Sequence, residues 1–449
     1  MRLVMAVGIA VSVMMWAYDA EAGEWTEGPT ITVDQVWSGH PVGFAFATRD
    51  GRQYVGYYDA RRRMVFAQRD LDGDTWDRHV TSERVGWDSH NVIRMAFDRD
   101  GCIHVSANMH CVPLNYWRSE KPADVTTLKA LHRMVGRNER ACTYPQFFHL
   151  PDGRLIFMYR EGGSGNGRRF VNIYDPKART WRRHFDTPLF EGQGRMNAYP
   201  ISIRQDREKV FHVAWVWRNT PNCATNHDVS YARSRDFRTW TKSDGTPLRL
   251  PITVERGEVV DPIRAGAGLI NWGDLRFDPK GRPIIAYIKF DTAGKTQLYG
   301  ARREATGWRI YQLTEWTHRW AFSGGGSIVP RIMWTAPFPA PGGKALQFRF
   351  RHWKYGPGWF AQRVDAETLK PVGEPTPVKE QHEALRRVRS DVPGMQVHLH
   401  GSPVVVRDGR RMRYLLRWET LGPNRDRPRA AAPPPSTLQV VELVWKPSS

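Results

Sequence analysis

The chain has 449 residues, a formal net charge of +20 and an aromatic content of 12%. It is rich in Gly (39) and Pro (31) and has few long Ala, Leu and Glu stretches, a composition that favours β-strands over a helical bundle. After residue 22 no run is apolar enough to cross a membrane, which excludes a protein with several membrane spans.

The N-terminal residues are typical of a secretory signal peptide. Arg2 precedes an apolar run of about fifteen residues, and Ala20-Glu21-Ala22 supplies the small-residue pattern of a cleavage site. We therefore expect residues 1–22 to be removed, which leaves a periplasmic or secreted monomer that begins at Gly23 and has no membrane span. For an exported protein, the basic charge indicates an anionic polysaccharide or oligosaccharide as partner, and not a nucleic acid.

A turn followed by an alternating or apolar strand recurs along the chain. The repeated unit lies at 49–59, 98–110, 151–162, 205–218, 278–291 and 406–419. The first four units start about fifty residues apart, the length of a four-stranded propeller blade. A second element, a turn with Thr-Trp or Gly-Trp before a polar strand, lies between them and is similar to the degenerate Asp-box hairpins of sialidase-type propellers.

Two interleaved repeats at one period predict a single all-β domain, a β-propeller, over residues 23–449. We expect no linker between two domains. Residues 421–436, "LGPNRDRPRAAAPPPS", form a predicted flexible insertion, and residues 437–445 a closing strand.

Two histidines flank the hairpin in "GWDSHNVIRMAFDRDGCIHVSANMHC", residues 86–111. Antiparallel strands joined by a short turn bring their outer ends together, so His90 and His110 are expected to meet at a rim of the propeller. If the second strand is continuous, His104, Ser106, Asn108 and His110 share one face. The alternative is that both histidines only bond backbone groups of their loops.

The motif order resembles a known family. "WDSHN", "NMH", "TYPQF" (143–147), "YREGGSGNG" (159–167), "NAYP" (197–200) and "TNHDVSYARS" (225–234) are similar to the BNR-repeat propellers that include ulvan lyases. The same superfamily includes lyases and α-L-rhamnosidases that act on rhamnose linked α-1,4 to glucuronate. The resemblance covers about residues 30–330 and implies a seven-bladed propeller.

The resemblance also implies a lyase site. A lyase removes the C5 proton of a uronate whose carboxylate is neutralised, and protonates the leaving C4 oxygen. His90, His110 and Tyr159 match the family's catalytic groups, and Arg218 is the candidate for the carboxylate. Sugar contacts are expected from residues within the quoted motifs: Asn91, Asn108, Arg160, Asn166, Tyr199 and His227.

The sequence departs from the lyase pattern in one strand. The family places an arginine after the "SGNG" loop, where this chain reads "FVNIYD" (170–175), so Arg168 or Arg169 would have to substitute for it. This departure shifts the expected substrate from ulvan towards other acidic glycans that contain rhamnose and glucuronate.

Two other functions stay open at this point. "VWSGHPVGF" (36–44) resembles the rhamnosidase segment that carries one catalytic histidine on the opposite, posterior face, and His40 matches that histidine. A propeller that binds glycans without cleaving them would use its Trp-rich rim and its basic charge. A classical sialidase is disfavoured because the chain lacks the Arg-Ile-Pro start of that class.

No cofactor is needed for the predicted chemistry. The four cysteines, Cys102, Cys111, Cys142 and Cys223, leave open disulfides, free thiols or a structural zinc or calcium ion. Cys223 and His227 stand at a spacing that suits zinc, and Cys142 lies beside the "TYP" motif of a family in which some members hold a structural metal. Cys142, Cys223 and His227 are therefore the candidate metal ligands.

Overall fold

Antiparallel strands make up nearly all of the regular structure. The computed structural model describes residues 23–343, 345–379 and 381–447, so the expected signal peptide at residues 1–22 lies outside the described part. The only helical segments within these ranges are α1 (Glu383–Arg386) and two 3-10 turns, Val125–Thr127 and Cys223–Thr225. None of the described helices is long and apolar enough to span a membrane.

The described strands form seven antiparallel sheets, numbered here in chain order. The first described strand, β1 (Gly23–Val36), belongs to the seventh sheet. The first sheet contains β2 (Ala45–Arg49), β3 (Arg52–Tyr58), β4 (Arg63–Asp70) and β5 (Asp77–Arg84). The second contains β6 (Ile93–Phe97), β7 (Ile103–Ala107), β9 (Tyr116–Ser119) and β10 (Leu128–Ala130).

The third and fourth sheets have six strands each. The third contains β8 (His110–Val112), β11 (Cys142–His149), β12 (Leu155–Gly163), β13 (Asn166–Asp175), β14 (Thr180–Arg183) and β15 (Phe190–Glu191). The fourth contains β16 (Asn197–Gln205), β17 (Phe211–Arg218), β18 (Asn226–Ser234), β19 (Trp240–Thr241), β20 (Pro247–Leu248) and β21 (Glu258–Asp261).

The last three sheets complete the fold. The fifth contains β22 (Asp274–Phe277), β23 (Pro283–Phe290), β24 (Thr296–Glu304) and β25 (Gly307–Gln312). The sixth contains β26 (Ile332–Trp334), β27 (Phe338–Pro339), β28 (Leu346–His352), β29 (Phe360–Val364) and β30 (Pro371–Pro377). The seventh contains β31 (Met395–Gly401), β32 (Val405–Arg407), β33 (Arg410–Leu421) and β34 (Ser436–Pro447) together with β1.

The first and last described strands lie side by side in the seventh sheet. β1 pairs with β34 from Gly23 opposite Pro447 to Val36 opposite Ser436. A sheet that joins both ends of a chain leaves fewer free strand edges and is typical of propellers. The arrangement of the seven sheets is therefore propeller-like.

The repeated turns have a common physical basis. In three sheets the turn between the first two strands carries an aspartate whose Oδ1 accepts two backbone N–H groups of that turn: Asp98, Asp206 and Asp278. The other oxygen of Asp98 contacts the imidazole of buried His104, and that of Asp206 contacts His212. The recurring Asp turn therefore stabilises the connection between the first two strands of these sheets.

All seven sheets present equivalent loops at one end, which we call the site end. Neighbouring strands run in opposite directions, so the start of the first strand lies beside the connection between the second and third strands. The site end is the end of each sheet where these two features lie. Contacts between sheets join these loops. The hydroxyl of Tyr58, the last residue of β3, donates to the Asn91 carbonyl before β6 at 2.6 Å, and Leu421 N donates to Ser38 O at 2.7 Å.

Large apolar side chains fill the space between sheets. Trp215, Trp217 and Trp240 of the fourth sheet are among the largest fully buried side chains. They pack with Ile173 of the third sheet in one continuous core cluster. The core therefore lies between neighbouring sheets and holds the loops of the site end in register.

Replacing Asp98 by Ala should lower the free energy of unfolding by about 1–3 kcal/mol. The substitution leaves the buried N–H of Cys102 and the imidazole of His104 without their acceptor. Denaturant unfolding of both proteins measures the difference. Asp100→Ala is the matched control because Asp100 is exposed in the same turn. An equal loss in both variants would contradict a specific role for the Asp98 side chain.

Candidate functional site

Two histidines share one carboxylate at the site end. His90 Nδ1 donates to Asp88 Oδ1 at 2.7 Å, and His110 Nδ1 donates to Asp88 Oδ2. The two rings are stacked, with centroids 4.1 Å apart and an interplanar angle of 24°. Because an ionised carboxylate only accepts hydrogen bonds, both Nδ1 atoms carry a proton and both Nε2 atoms remain for other partners.

The pKa of Asp88 lies well below its usual range. Burial acts in the opposite direction, but the hydrogen bonds from His110 and His90 outweigh it. The carboxylate therefore stays ionised under ordinary conditions and fixes the orientation of both rings. Such an orienting acceptor behind an imidazole is a common feature of catalytic histidines.

The local sequence explains how the two rings meet. The hairpin of β6 and β7 pairs Ile93 with Ala107, which brings residues 88–92 near residues 108–110. The turn before β6 is closed by the Asn91 N–H, which donates to Asp88 O at 3.2 Å. The two histidines therefore lie together as the hairpin geometry predicts, while their catalytic role stays a prediction.

The predicted continuous strand from His104 to His110 is wrong. Asn108 adopts a φ of 57°, which ends β7 at Ala107. His110 instead opens the short strand β8, which pairs with β11 of the third sheet, with His110 opposite Thr143. His104 is buried between Asp98 and the Tyr116 hydroxyl and is part of the core.

Tyr144 lies beside the histidines and was missed by the sequence analysis. Its φ of 58° accompanies an irregularity in the pairing of β11 with β12 between Thr143 and Gln146. The ring centroid of Tyr144 lies 5.5 Å from that of His90 and 6.0 Å from that of Tyr199. Burial, followed by the neighbouring Tyr199, raises the pKa of Tyr144, so its phenol stays protonated.

Three arginines surround the two tyrosines. The guanidinium carbons of Arg160 and Arg169 lie 5.0 and 5.5 Å from the Tyr144 ring centroid, and that of Arg218 lies 4.3 Å from the Tyr199 ring centroid. Their hydrogen bonds go to neutral atoms. Among the described residues they form no ion pair with a carboxylate. This part of the site therefore carries positive charge that a bound anion would neutralise.

A small cavity opens between these groups. Its volume is about 130 Å³, and its lining residues are Tyr144, Gln146, Arg169, Tyr199, Pro200 and Asn271. Arg169 is 3% exposed; burial, followed by the charge of Arg160, lowers its pKa to about 10, so it remains charged at neutral pH. Arg218 contacts the lining residue Asn271: the Arg218 Nη2 donates to Asn271 Oδ1 at 2.5 Å. Asn271 was not foreseen from the sequence.

The structure does not bring Tyr159 to the histidines, so its predicted catalytic position is wrong. Tyr159 and Arg160 are neighbours in β12 and point to opposite faces. Since Arg160 faces Tyr144, Tyr159 faces the core, where its hydroxyl donates to Asn138 O at 2.7 Å and accepts from Arg183 at 3.0 Å. It packs in the same apolar cluster as Phe157 and Phe170.

The predicted posterior position of His40 is also wrong. His40 precedes β2 just as His90 precedes β6, so both lie at the site end. The His40 ring is 2% exposed, and its centroid lies 6.1 Å from that of Trp87. Its Nδ1 accepts from Trp37 Nε1 at 3.0 Å. Burial lowers its pKa to about 4, partly offset by the main chain of Asp88, so the ring is neutral at neutral pH.

The remaining predicted sugar contacts have varied positions. Asn91 is buried in the turn before β6, and Asn108 Nδ2 donates to Glu83 Oε2 at 2.9 Å. Asn166 is exposed at the first position of β13. His227 bonds Asp228 at 3.0 Å and Asn219 at 2.9 Å. Arg160 and Tyr199 are the two that line the arginine-rich part of the site.

The candidate metal ligands do not come together. Cys142 lies in β11 with its thiol 3.7 Å from Glu161 Oε2, and Cys223 packs against the core that includes Ile270. All four cysteines are free. The group of described residues close enough to ligate one ion is Asp88, His90 and His110, whose ligand atoms lie within 4.8 Å of one another.

The family suggested by the motifs is confirmed by comparison with known proteins. The model of the BNR repeat-containing family matches residues 52–316, more than half of the chain. A curated relative, the long isoform of ulvan lyase from Alteromonas sp., is 30% identical over 121 residues. That match covers 24% of this chain and 12% of the relative, so the chain spans only a small part of that relative's length.

Two solved structures share the fold. The polysaccharide lyase Uly1 superposes with a TM-score of 0.61 at 14% identity, covering 93% of this chain and 99% of that chain. A PL25 ulvan lyase bound to -[GlcA(1-4)Rha3S]- gives a TM-score of 0.56 at 13% identity, covering 89% and 97%. With more than half of its residues matched by the family model, this chain is a member of the BNR repeat-containing family and is similar to its ulvan lyases.

Proposed function

We propose that this protein is a polysaccharide lyase that cleaves an acidic glycan containing rhamnose and uronate by β-elimination. The observation that carries the proposal is the stacked pair His90 and His110 on the shared carboxylate of Asp88, beside a protonated tyrosine and three arginines that pair with no carboxylate of the described residues. The ulvan lyase relative and the oligosaccharide-bound structure support the substrate class. The seven sheets would be the blades of one closed ring, exported by the signal peptide at residues 1–22.

The groups of the site suit the two proton transfers of the reaction. An imidazole whose Nδ1–H is held by Asp88 has a free Nε2, which can accept the C5 proton as general base. The electron pair of the C5–H bond forms the C4–C5 double bond, and the C4–O bond breaks. The Tyr144 phenol, kept protonated by burial, can donate its proton to the leaving oxygen.

The arginines suit the charge that develops during the reaction. Removing the C5 proton pushes negative charge onto the uronate carboxyl group, which a guanidinium stabilises by charge-assisted hydrogen bonds. The cavity beside Tyr144 is lined by Arg169 and bordered by Arg160 and Arg218. Arg169 therefore takes the place of the arginine that is absent from the strand at 170–175.

The hydrolase alternative has less support. A posterior catalytic histidine would need an open site on the other face, whereas His40 is 2% exposed at the site end and lies against Trp37 and Trp87. Pure glycan binding would not require two imidazoles on one carboxylate. The products formed by wild type and by His110→Ala distinguish both alternatives from a lyase.

Replacing His110 by Ala should lower kcat by about 100- to 10,000-fold, the usual contribution of a positioned acid or base. Ultraviolet absorbance of unsaturated uronate measures the rate on gum arabic and, separately, on ulvan. His149→Ala is the control, because His149 is exposed at the opposite end of β11. Free rhamnose without an unsaturated product would identify a hydrolase. Binding of both glycans without any product would identify a binding protein.

Replacing Tyr144 by Phe should lower kcat by on the order of 100-fold and leave the melting temperature nearly unchanged, because the variant lacks the proposed proton donor. Tyr159→Phe should do the reverse: it removes two buried hydrogen bonds in the core and leaves kcat nearly unchanged. Kinetics and thermal unfolding of both variants decide between the two tyrosines. Loss of activity only in Tyr159→Phe would overturn the assignment of Tyr144.

Replacing Arg169 by Met should lower kcat/KM on the polyuronate by on the order of 100-fold, as expected for the loss of a charged hydrogen-bond donor. Arg168→Met is the matched control. Arg168 is the preceding residue in β13, and its guanidinium carbon lies 5.5 Å from the Phe170 ring centroid. The measurement is repeated on a carboxyl-reduced substrate, on which wild type and Arg169→Met should be equally poor. An undiminished difference on the reduced substrate would exclude Arg169 as the carboxylate partner.

A further inference from the structure

A distant loop reaches the histidine pair. The segment between β33 and β34, residues 422–435, corresponds to the predicted flexible insertion. Its Asp426 carboxylate accepts hydrogen bonds from Ser89 N at 3.1 Å and Ser89 Oγ at 2.8 Å. It also accepts from Ser327 N at 2.8 Å and from Ser327 Oγ at 2.9 Å. One carboxylate thus joins the seventh sheet to the loops that precede β6 and β26.

Asp426 lies next to His90 as well. Ser89 directly precedes His90, so the bonds from Asp426 fix the main chain that carries the ring. Asp426 Oδ2 is 3.6 Å from His90 Nδ1, compared with 2.7 Å for Asp88 Oδ1. The Asp426 side chain is only 11% exposed, so solvent screens its charge weakly. His90 Nδ1 therefore faces two carboxylates.

The loop adopts a strained backbone to make these contacts. Arg425 and Asp426 have φ of 52° and 58°, in the left-handed region that non-glycine residues rarely adopt. Arg425 Nη1 donates to the carbonyls of Ser323 at 3.3 Å and Gly325 at 3.2 Å, which holds the strained pair in place. Strain held by specific contacts is characteristic of functional segments.

The glycine-rich segment 323–327 accommodates this loop. A Cβ on Gly326 would lie 2.7 Å from the Arg425 carbonyl oxygen, and the φ of Gly326 is +73°. Only glycine allows the two backbones to approach this closely without displacement. The run "SGGGS" therefore forms the docking surface on which residues 425–426 rest.

We propose that Asp426 is a positioning residue that fixes Ser89 and, together with Asp88, holds the Nδ1–H side of the His90 ring, so that Nε2 points to the substrate. The inference rests on the proposed function of His90. The side chain of Asp426 bonds Ser89 and lies beside His90 Nδ1 without touching a reacting atom, so its effect is on kcat and on the surroundings of the His90 Nδ1–H.

The test compares Asp426→Asn with wild type in the full chain. Asn keeps the shape of the side chain but lacks its charge, so kcat should fall by on the order of 10- to 100-fold while KM stays within about twofold. A side-chain ¹H–¹⁵N spectrum at alkaline pH, assigned through His90→Gln, should show a shifted Nδ1–H resonance of His90 in Asp426→Asn, because the second carboxylate beside Nδ1 is lost while Asp88 still accepts the proton. Asp408→Asn is the charge control, since Asp408 is 87% exposed in the turn before β33.

Either of two results would overturn the proposal: a kcat for Asp426→Asn equal to that of wild type, or an unchanged His90 ring spectrum. If wild type cleaves no glycan, the proposed function fails and the ring spectrum alone decides the role of Asp426. If Asp426→Asn does not fold, Arg425→Ala replaces it. Arg425→Ala leaves the carboxylate in the chain but removes its loop's bonds to Ser323 and Gly325, so it should lower kcat by a smaller factor with KM again unchanged.

Discussion

The Asp88 carboxylate, shared between two imidazoles, is the interaction on which the site depends. One carboxylate has enough acceptor sites for both Nδ1–H groups, and these bonds hold the rings stacked at 4.1 Å. Burying a carboxylate is costly unless it is paired and hydrogen-bonded. The two histidines provide those bonds, so the orientation of the rings and the ionisation of Asp88 stabilise each other.

The fold makes this arrangement available because every sheet presents the same type of loop at one end. His90 comes from the second sheet, His110 and Tyr144 from the third, and Arg218 from the fourth. No single sheet carries both a proposed histidine base and all three arginines that are proposed to bind the substrate carboxylate. The loop of the seventh sheet then completes the surroundings of His90 through Asp426. Packing between sheets, more than any local motif, therefore sets the distances on which the chemistry depends.

The sequence predicted the parts of the site that depend on local pairing. The turn and strand repeats indicated antiparallel sheets, and the hairpin after "DSHN" placed His90 near His110. The choice of Tyr159 over Tyr144 was wrong for a physical reason. A regular strand alternates its side chains, and the positive φ of Tyr144 at an irregularity in β11 cannot be read from "TYPQF".

Long-range contacts account for the other differences. Asp426 is 337 residues from Ser89 along the chain, so no spacing rule could connect them. His40 was assigned to the wrong end by resemblance to a short segment, although its place before the first strand of a sheet puts it with His90. The basic charge of the whole chain indicated an anionic ligand, but only the structure distinguishes Arg169, buried beside the cavity, from its neighbour Arg168.

The most direct test of β-elimination is mass spectrometry of the products formed from a rhamnose- and glucuronate-containing glycan in water enriched in heavy oxygen. A lyase breaks the C4–O bond without adding water, so the account predicts products that carry no heavy oxygen at the cleaved bond and end in a C4–C5 unsaturated uronate. Saturated products that carry heavy oxygen at the cleaved bond would contradict it and identify a hydrolase.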